Sequence, residues 1–354
     1  MSVFIEPKSL APIYGGTYYS AHGEGRRPGF IALCNSVNRA WTGDRAKLLE
    51  TSTRVTAFLK ENNGEGQVAA SEKEAFLDAL GGILIKGADE RLKAFDPVFG
   101  GWGEQPKFPQ PVIFASLFAA HYQQGTPKST YLDQIETTLQ HMYAGGIHDH
   151  LGGGFHRYSV TEDWKLPHFE KMLYDQSQIA IAYLTAYQLT RKELYKAAAQ
   201  DIFKYVATQL TDPATGGFFS AEDADSPLPS DPSVKREGAF YVWDYEEIKE
   251  ILASDDAFSV LTLLYDLREG GNVPGEWDPH GEMDTKNILH TVKNEDELSS
   301  ATGFSPEKLR ALLATAHAKL AAAQKKRPRP HLDDKCVTVW NGMMIQAMAK
   351  GYQV

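Results

Sequence analysis

The chain has 354 residues, 42% of them hydrophobic and 23% charged, which is a globular composition and not a disordered one. Its 36 basic and 46 acidic residues leave a formal charge of −10, which argues against nucleic acid or an anionic membrane as the main partner. The only cysteines, Cys34 and Cys336, lie far apart, which excludes a CxxC pair, a cysteine-ligated zinc site and a disulfide framework, and fits a reducing, cytoplasmic compartment.

The first residues, MSVFIEPKSL, lack a basic segment followed by an apolar one, so no signal peptide is read there. No apolar run approaches the ~20 residues needed to cross a bilayer. Val3-Phe4-Ile5 and Pro12-Ile13-Tyr14 read as strand material, with Gly15-Gly16 predicted as a hairpin turn into Thr17-Tyr18-Tyr19. Phe30, Leu33, Val37 and Trp41 recur at helical spacing. A second helix is predicted over 45–60, broken between Asn62 and Gly66, and a short one near 71–80. Residues 1–65 thus form a small α/β piece with too few strands for a complete sheet, and 66–98 a helical connector.

Beyond the Gly- and Pro-rich loop 96–109 the chain changes character. Helices are predicted near 110–123, 130–144, 172–190, 192–210, 244–266, 305–325 and 338–352, most of them paired by short links. Long loops at 145–168, 211–243 and 270–290 separate the pairs. Helical hairpins alternating with long loops predict a toroid or solenoid over 99–354. Loops held by such a scaffold carry function.

The densest chemistry lies in 145–175, which holds His148, His150, His156 and His168 with Asp149, Arg157, Glu170, Lys171 and Asp175. Histidines titrate near neutrality and can act as acid and base. The glycines between them let the backbone approach a ligand closely. Tyr158, Trp164 and Tyr174 offer flat faces that suit a sugar ring. His148-x-His150 lacks a third ligand at fixed spacing, so no metal site is read. His168 follows Pro167 and could equally anchor the loop.

In GGFFSAEDAD (216–225), Glu222, Asp223 and Asp225 are crowded, which raises carboxylate pKa values as a general acid requires. Hydrolysis of a glycoside needs two carboxylates flanking the bond. A turn or cap cluster explains the same residues. EGAFYVWDYEEI (237–248) reads as a strand of alternating small and aromatic residues whose Trp243 faces either the core or a ligand. The loop 271–290, with Glu276, Asp278, His280 and Glu282, lacks EF-hand spacing. Asp333-Asp334-Lys335 reads as a helix start, where acidic groups suit the dipole. In Trp340-Asn341-Gly342 that follows, glycine costs about 1 kcal/mol inside a helix.

Several segments resemble the thioredoxin-domain-containing family that includes spermatogenesis-associated protein 20. They are PIYGGTYY with RPGF, GGWGEQPKFP, the stretch 145–180, FSAEDADS, EGAFYVW, DPHGEMDTKNIL and DDKCVTVWNGMMIQAMAKGY, in order across nearly the whole chain. The resemblance implies a mainly α fold. A remnant of a thioredoxin-like α/β domain, starting near Pro7 and lacking CxxC, would precede a partial α/α toroid of the six-hairpin glycosidase type. That toroid is similar to N-acylglucosamine 2-epimerases and several glycoside hydrolases. Helix counting gives roughly three to four of six hairpins. Open sheet edges and an unclosed ring then predict marginal stability and aggregation.

The implied function is a carbohydrate-active or carbohydrate-binding toroid, epimerase- or glycosidase-like, with a small-molecule ligand and no cofactor. The catalytic candidates are His148, Asp149, His156, His168, Glu170, Glu222 and Asp223. Those for substrate are His150, Arg157, Trp164, Lys171, Tyr174, Asp175, Asp225, Trp243, Asp334, Trp340 and Asn341. The alternatives are a non-catalytic interaction protein on the same scaffold and a thioredoxin-type redox protein, which the cysteine count opposes.

Overall fold

The computed structural model describes every residue except 1, 17–18, 20–21, 25–26, 63–72, 279–280 and 282. Thr17, Tyr18, His280, Glu282 and the chain break read after Asn62 therefore lie outside the described residues. Two compact units are present, Met1–Phe76 and Leu77–Val354.

In the first unit, strand Ser2–Ile5 pairs antiparallel with Pro12–Gly16, with Val3 opposite Gly15. The turn lies at residues 6–11 and not at Gly15-Gly16. Glu6 closes it, its carboxylate accepting the backbone N–H of Lys8 at 2.9 Å, and Leu10 takes a left-handed φ of 56°. Gly16 serves the ladder instead, because a Cβ there would lie 1.9 Å from the Tyr19 hydroxyl. Helices α1 (Phe30–Gly43) and α2 (Arg45–Asn62) follow, and α2 packs on the second strand. Helix α3 (Lys73–Lys93) is much longer than the short helix predicted near 71–80.

In the second unit the helices come in pairs. They are α4 (Pro111–Gln124) with α5 (Thr130–Ala144), α6 (Leu173–Thr190) with α7 (Glu193–Gln209), α8 (Tyr245–Leu252) with α9 (Asp255–Tyr265), and α10 (Glu295–Thr302) with α11 (Pro306–Gln324). A last helix, α12 (Thr338–Gln353), packs on α6. Local chemistry sets the tips. Left-handed residues Gly125, Arg191, Ala253 and Gly303 end the first helix of each pair. Ser129, Ser254 and Ser305 cap the next helix by accepting a backbone N–H. The single helix predicted over 244–266 is therefore two, because Ala253 at φ 47° turns the chain and Ser254 restarts it. Helix α10 was not predicted, although Asn294 and Glu297 form a full capping box.

Helices α4 to α7 and α12 enclose one core, with Leu117, Ile135, Leu139, Ile179 and Tyr183 at 0% exposure. Helices α8 to α11 enclose a second, around Trp243, Ile248, Leu261 and Leu309. A third cluster, including Phe169, Phe240, Tyr241 and Ile288, lies among the loops.

The connections between pairs bond to one another. Leu173 donates to the Ser220 carbonyl, Ser220 to that of Asp333, Thr291 to that of Ala144, and Asn287 to that of Trp243. Strand Ala221–Glu222 lies between Lys171–Met172 and Leu332–Asp333. Each hairpin starts and ends in this loop layer, so its tip points away from it. The unit is a partial α/α toroid of helical hairpins, with its polar loops gathered at one end. EGAFYVW is not a strand beyond Glu237, which ends the strand Lys235–Glu237. Tyr241 and Val242 both donate to the Gly238 carbonyl, and Gly238 takes φ 71° because a Cβ would lie 2.5 Å from the Phe169 ring. Likewise Asp334 does not start a helix, since α12 begins at Thr338. Among the described residues no helix is long and apolar enough to cross a membrane.

Ile179 is fully buried on α6, the helix that meets α4, α5, α7 and α12. Ile179→Ala is expected to destabilise the unit by about 2–5 kcal/mol, read as a lower urea midpoint.

Candidate active site

Residues 145–172 form the core of the loop layer. The backbone bridge His148–Phe155 turns the segment back on itself, and Gly153 and Gly154 hold φ of 82° and 76° at the turn. A Cβ on Gly154 would lie 2.7 Å from the Tyr205 ring. The Gln176 side chain pins the segment to α6, accepting from Phe155 N at 2.9 Å and donating to its carbonyl at 2.6 Å.

Beneath this turn lies a layer of paired polar groups. Lys171 is 1% exposed and donates to Asp149 Oδ2 and to the Gly153 carbonyl, both at 2.7 Å. Its ammonium also faces the rings of Tyr205 and Tyr241 at 4.4 and 5.0 Å. Asp149 accepts from the backbones of Leu151 and Gly152 as well. Burial alone would raise the Asp149 carboxyl, but Lys171 beside it holds it well below the usual range. Glu222 is 2% exposed, taking Tyr205 Oη at 2.7 Å and Arg329 at 2.6 Å.

The histidines of this layer are also engaged. His148 Nε2 meets Asp201 Oδ2 at 2.9 Å, and its ring stacks between Tyr143 and Phe155. The His150 Nε2 meets the Gly145 carbonyl at 3.1 Å, and its ring edges those of His148 and Tyr265. His156 Nδ1 meets the Phe169 carbonyl at 2.9 Å. Burial pushes both His150 and His156 well below the ordinary imidazole value, so both are neutral at pH 7. No group of three or more His, Cys, Asp or Glu side chains among the described residues is placed to hold a metal ion.

A second set faces outward. Arg157 donates to Glu170 Oε2 at 2.8 Å. His168 Nδ1 lies 2.6 Å from Glu237 Oε1, its Nε2 lies 3.7 Å from Glu170, and its ring stacks on Tyr158. Burial would lower the His168 pKa, but bonds to Glu170 and Glu237 raise it to about 9, so the ring carries a charge at pH 7. The bond from His168 in turn lowers Glu170, against its burial and with help from Arg157. Tyr174 meets Trp340 edge to face at 4.9 Å.

Asp175 stands apart in its bonding. It lies in the first turn of α6 and is 7% exposed. Its Oδ2 is buried with no hydrogen-bond partner, as is Arg157 Nε. Burial pushes the Asp175 carboxyl up to about 8, against the attraction of Arg157 and with the repulsion of Glu170. A helix N-terminus normally favours an ionised carboxylate. Here desolvation wins, and the group holds its proton at neutral pH. Such a group can donate a proton, and the flanking Arg157–Glu170–His168 array can bind hydroxyls.

The structure corrects several candidates. Trp164 is fully buried at φ 64°, its Nε1 donating to the Phe99 carbonyl, so it anchors loop 96–109 and presents no face to a ligand. Trp243 is also fully buried, in the second core, with Arg327 stacked at 3.7 Å. Asn341 spends its amide on both backbone groups of Phe218. Asp223, Asp225 and Asp334 are exposed. Burial first, then Asp223 and Glu237, raises the Asp225 carboxyl. The sequence reading overlooked Asp201, Tyr205, Glu237 and Arg329, which complete the bonds of His148, Glu222 and His168. Glu237 stood within a quoted motif, but nothing local marked Asp201 or Arg329.

The open clefts lie elsewhere. One of 380 Å³ is lined by Asp163, Arg268, Trp277 and His290, and one of 720 Å³ by Asp96 and Glu104. Asp175 lines neither.

Lys171→Met leaves Asp149 buried and unpaired, which is expected to cost about 3–5 kcal/mol in urea unfolding. The double variant Lys171→Met with Asp149→Leu is expected to recover most of that loss, since no charge then remains unpaired.

Residues 1–60 match the family model Thioredox_DsbH, described as Protein of unknown function, DUF255. The human spermatogenesis-associated protein 20 is 39% identical over 360 residues, covering 99% of this chain and 45% of that protein. Its mouse counterpart is 38% identical over 364 residues, with the same coverage of 99% and 45%. Among solved structures, a cellobiose 2-epimerase from Spirochaeta thermophila aligns at 17% identity and TM-score 0.36, over 46% of this chain and 45% of that one. The chain spans just under half the length of the curated relatives it matches. The match runs from a thioredoxin-like segment through the helical hairpins, and the chain belongs to the spermatogenesis-associated protein 20 family.

Proposed function

We propose that the outward array is a carbohydrate site with acid–base capacity, epimerase- or glycosidase-like, in a protein of the cytoplasm. One observation carries the reading. Asp175 is a buried carboxyl with an unbonded oxygen, at the start of a central helix, pushed up to about 8 and flanked by Arg157 and Glu170. The fold gains nothing from a carboxyl kept unpaired, and perturbed groups of this kind gather at functional sites. Asp175 would donate the proton. Glu170, ionised beside Arg157 and His168, would accept one or bind a hydroxyl pair. Tyr174 and Trp340 would pack against the apolar face of a sugar ring.

A second reading keeps the ligand and drops the turnover. It is favoured by the inner layer, where Asp149, Lys171 and Glu222 are spent on one another and on neighbours. In that case the inner histidines and carboxylates only hold the loops, and the outer array binds.

The test is a panel of glycosides and N-acylhexosamines, assayed with this chain and with Asp175→Asn. Turnover is expected with at least one panel member, and the near-isosteric amide is expected to lower it by about 10²–10⁴-fold, the usual worth of a general acid. The active form is the protonated one, so the wild-type rate should be present below about pH 8 and fall as pH rises through it. Binding without turnover supports the second reading, and turnover indifferent to Asp175→Asn overturns the first.

A further inference from the structure

A separate small cavity of 150 Å³ opens beside Lys171, on the side of α7 and α11. Its walls include Lys204 and Tyr205 of α7, Gln324 and Lys325 at the end of α11, Phe240 and Arg329. At about 30 Å³ per water it has room for about five waters, the heavy-atom count of a phosphate group.

Two features of the wall suit an anionic ligand. Gln324 is 4% exposed, yet its side-chain amide makes no hydrogen bond with any described residue, and it lines the cavity. Its amide atoms remain open to solvent in the cavity, free to bond a ligand there. The second feature is a surplus of positive charge. Lys171 and Arg329 are matched by Asp149 and Glu222. Lys204 and Lys325 are exposed, and their ammonium groups have no ion-pair partner among the described residues, so both are free to turn to an anion at the cavity. Lys325 follows the last residue of α11, where the helix dipole favours a cation by about half a charge. That accounts for part of one lysine. Lys204 lies within α7, more than a turn from its end, and is not explained that way.

Asp149 is the one carboxylate among these lining residues, so the positive surplus disfavours a metal ion as the occupant, and a neutral sugar hydroxyl gains little from it. We propose that this cavity binds a compact oxyanion, a phosphate or the phosphoryl group of a larger ligand. Lys204, Lys325 and the free edge of Arg329 supply charge, Gln324 supplies an N–H donor, and Tyr205 and Phe240 supply walls that lower the local dielectric. The site is independent of the acid–base array, because it uses none of Arg157, His168, Glu170 or Asp175.

Calorimetric titration with sodium phosphate, against sodium chloride at matched ionic strength, tests this directly. Saturable binding is expected for phosphate alone. Lys204→Glu with Lys325→Glu alters two exposed side chains and is expected to weaken it at least tenfold, with an unchanged circular dichroism spectrum. Gln324→Leu should weaken it severalfold, and Asp175→Asn should leave it unchanged. A hexose phosphate that binds more tightly than inorganic phosphate places the anion on a sugar, and equal affinities assign the site to phosphate itself. Heat no greater than that of chloride, or affinity unaltered in the lysine double variant, overturns the proposal.

Discussion

Lys171 cannot be buried without a partner, and the loop layer is organised around supplying one. A desolvated ammonium costs several kcal/mol unless it is paired and bonded. Asp149 provides the charge and Gly153 the carbonyl, both from a turn some twenty residues earlier in the chain. That demand ties the glycine-rich turn to the strand Lys171–Met172. The strand pairs with Ala221–Glu222, which pairs with Leu332–Asp333, so one ion pair joins the entrances of α6 and α12. Glu222 repeats the solution one strand over, with Arg329 and Tyr205.

The inner layer then fixes where the outer array stands. Asp175 lies four residues beyond Lys171, in the first turn of the helix that this strand introduces. Arg157 and Glu170 are locked by the backbone bond from Arg157 N to the Glu170 carbonyl, close to the same strand. The inner groups are matched charge for charge. The outer ones balance in charge but not in bonds, since the Asp175 Oδ2 and Arg157 Nε are left unbonded. A raised carboxyl pKa also has a cost. Between the unfolded value near 4 and the folded value of about 8, the native state holds a proton that the unfolded state releases, so stability falls as pH rises. Perturbed groups of this kind gather at functional sites, which is what makes Asp175 the candidate.

Much of the architecture was legible in the chain. Helices α4, α5, α6, α7, α11 and α12 begin and end within a residue or two of their predicted places, because apolar spacing marks their extent. The sequence hid the features that depend on a single backbone angle. Ala253 splits one helix into two by adopting a conformation that alanine rarely takes. The first hairpin turns at Glu6 to Leu10, where no glycine marks it. For the candidate site, composition marked the segment 145–175 but not the division within it. The four histidines looked alike in the sequence, yet burial leaves His156 neutral and carboxylates leave His168 charged. Partners such as Asp201, Glu237 and Arg329 reach the site only through tertiary structure. Trp164 reads as a ligand platform and Trp243 as either core or platform, because an aromatic in a polar loop gives no sign of whether it faces in or out.

The account turns on whether Asp175 is protonated at neutral pH. Carboxyl carbon-13 shifts, followed by NMR from pH 4 to 10 with Asp175→Asn to assign the resonance, measure this directly. The structure predicts a midpoint near 8 for Asp175, set apart from the ordinary carboxylates. A midpoint at or below about 4, where an unperturbed aspartate titrates, would contradict it.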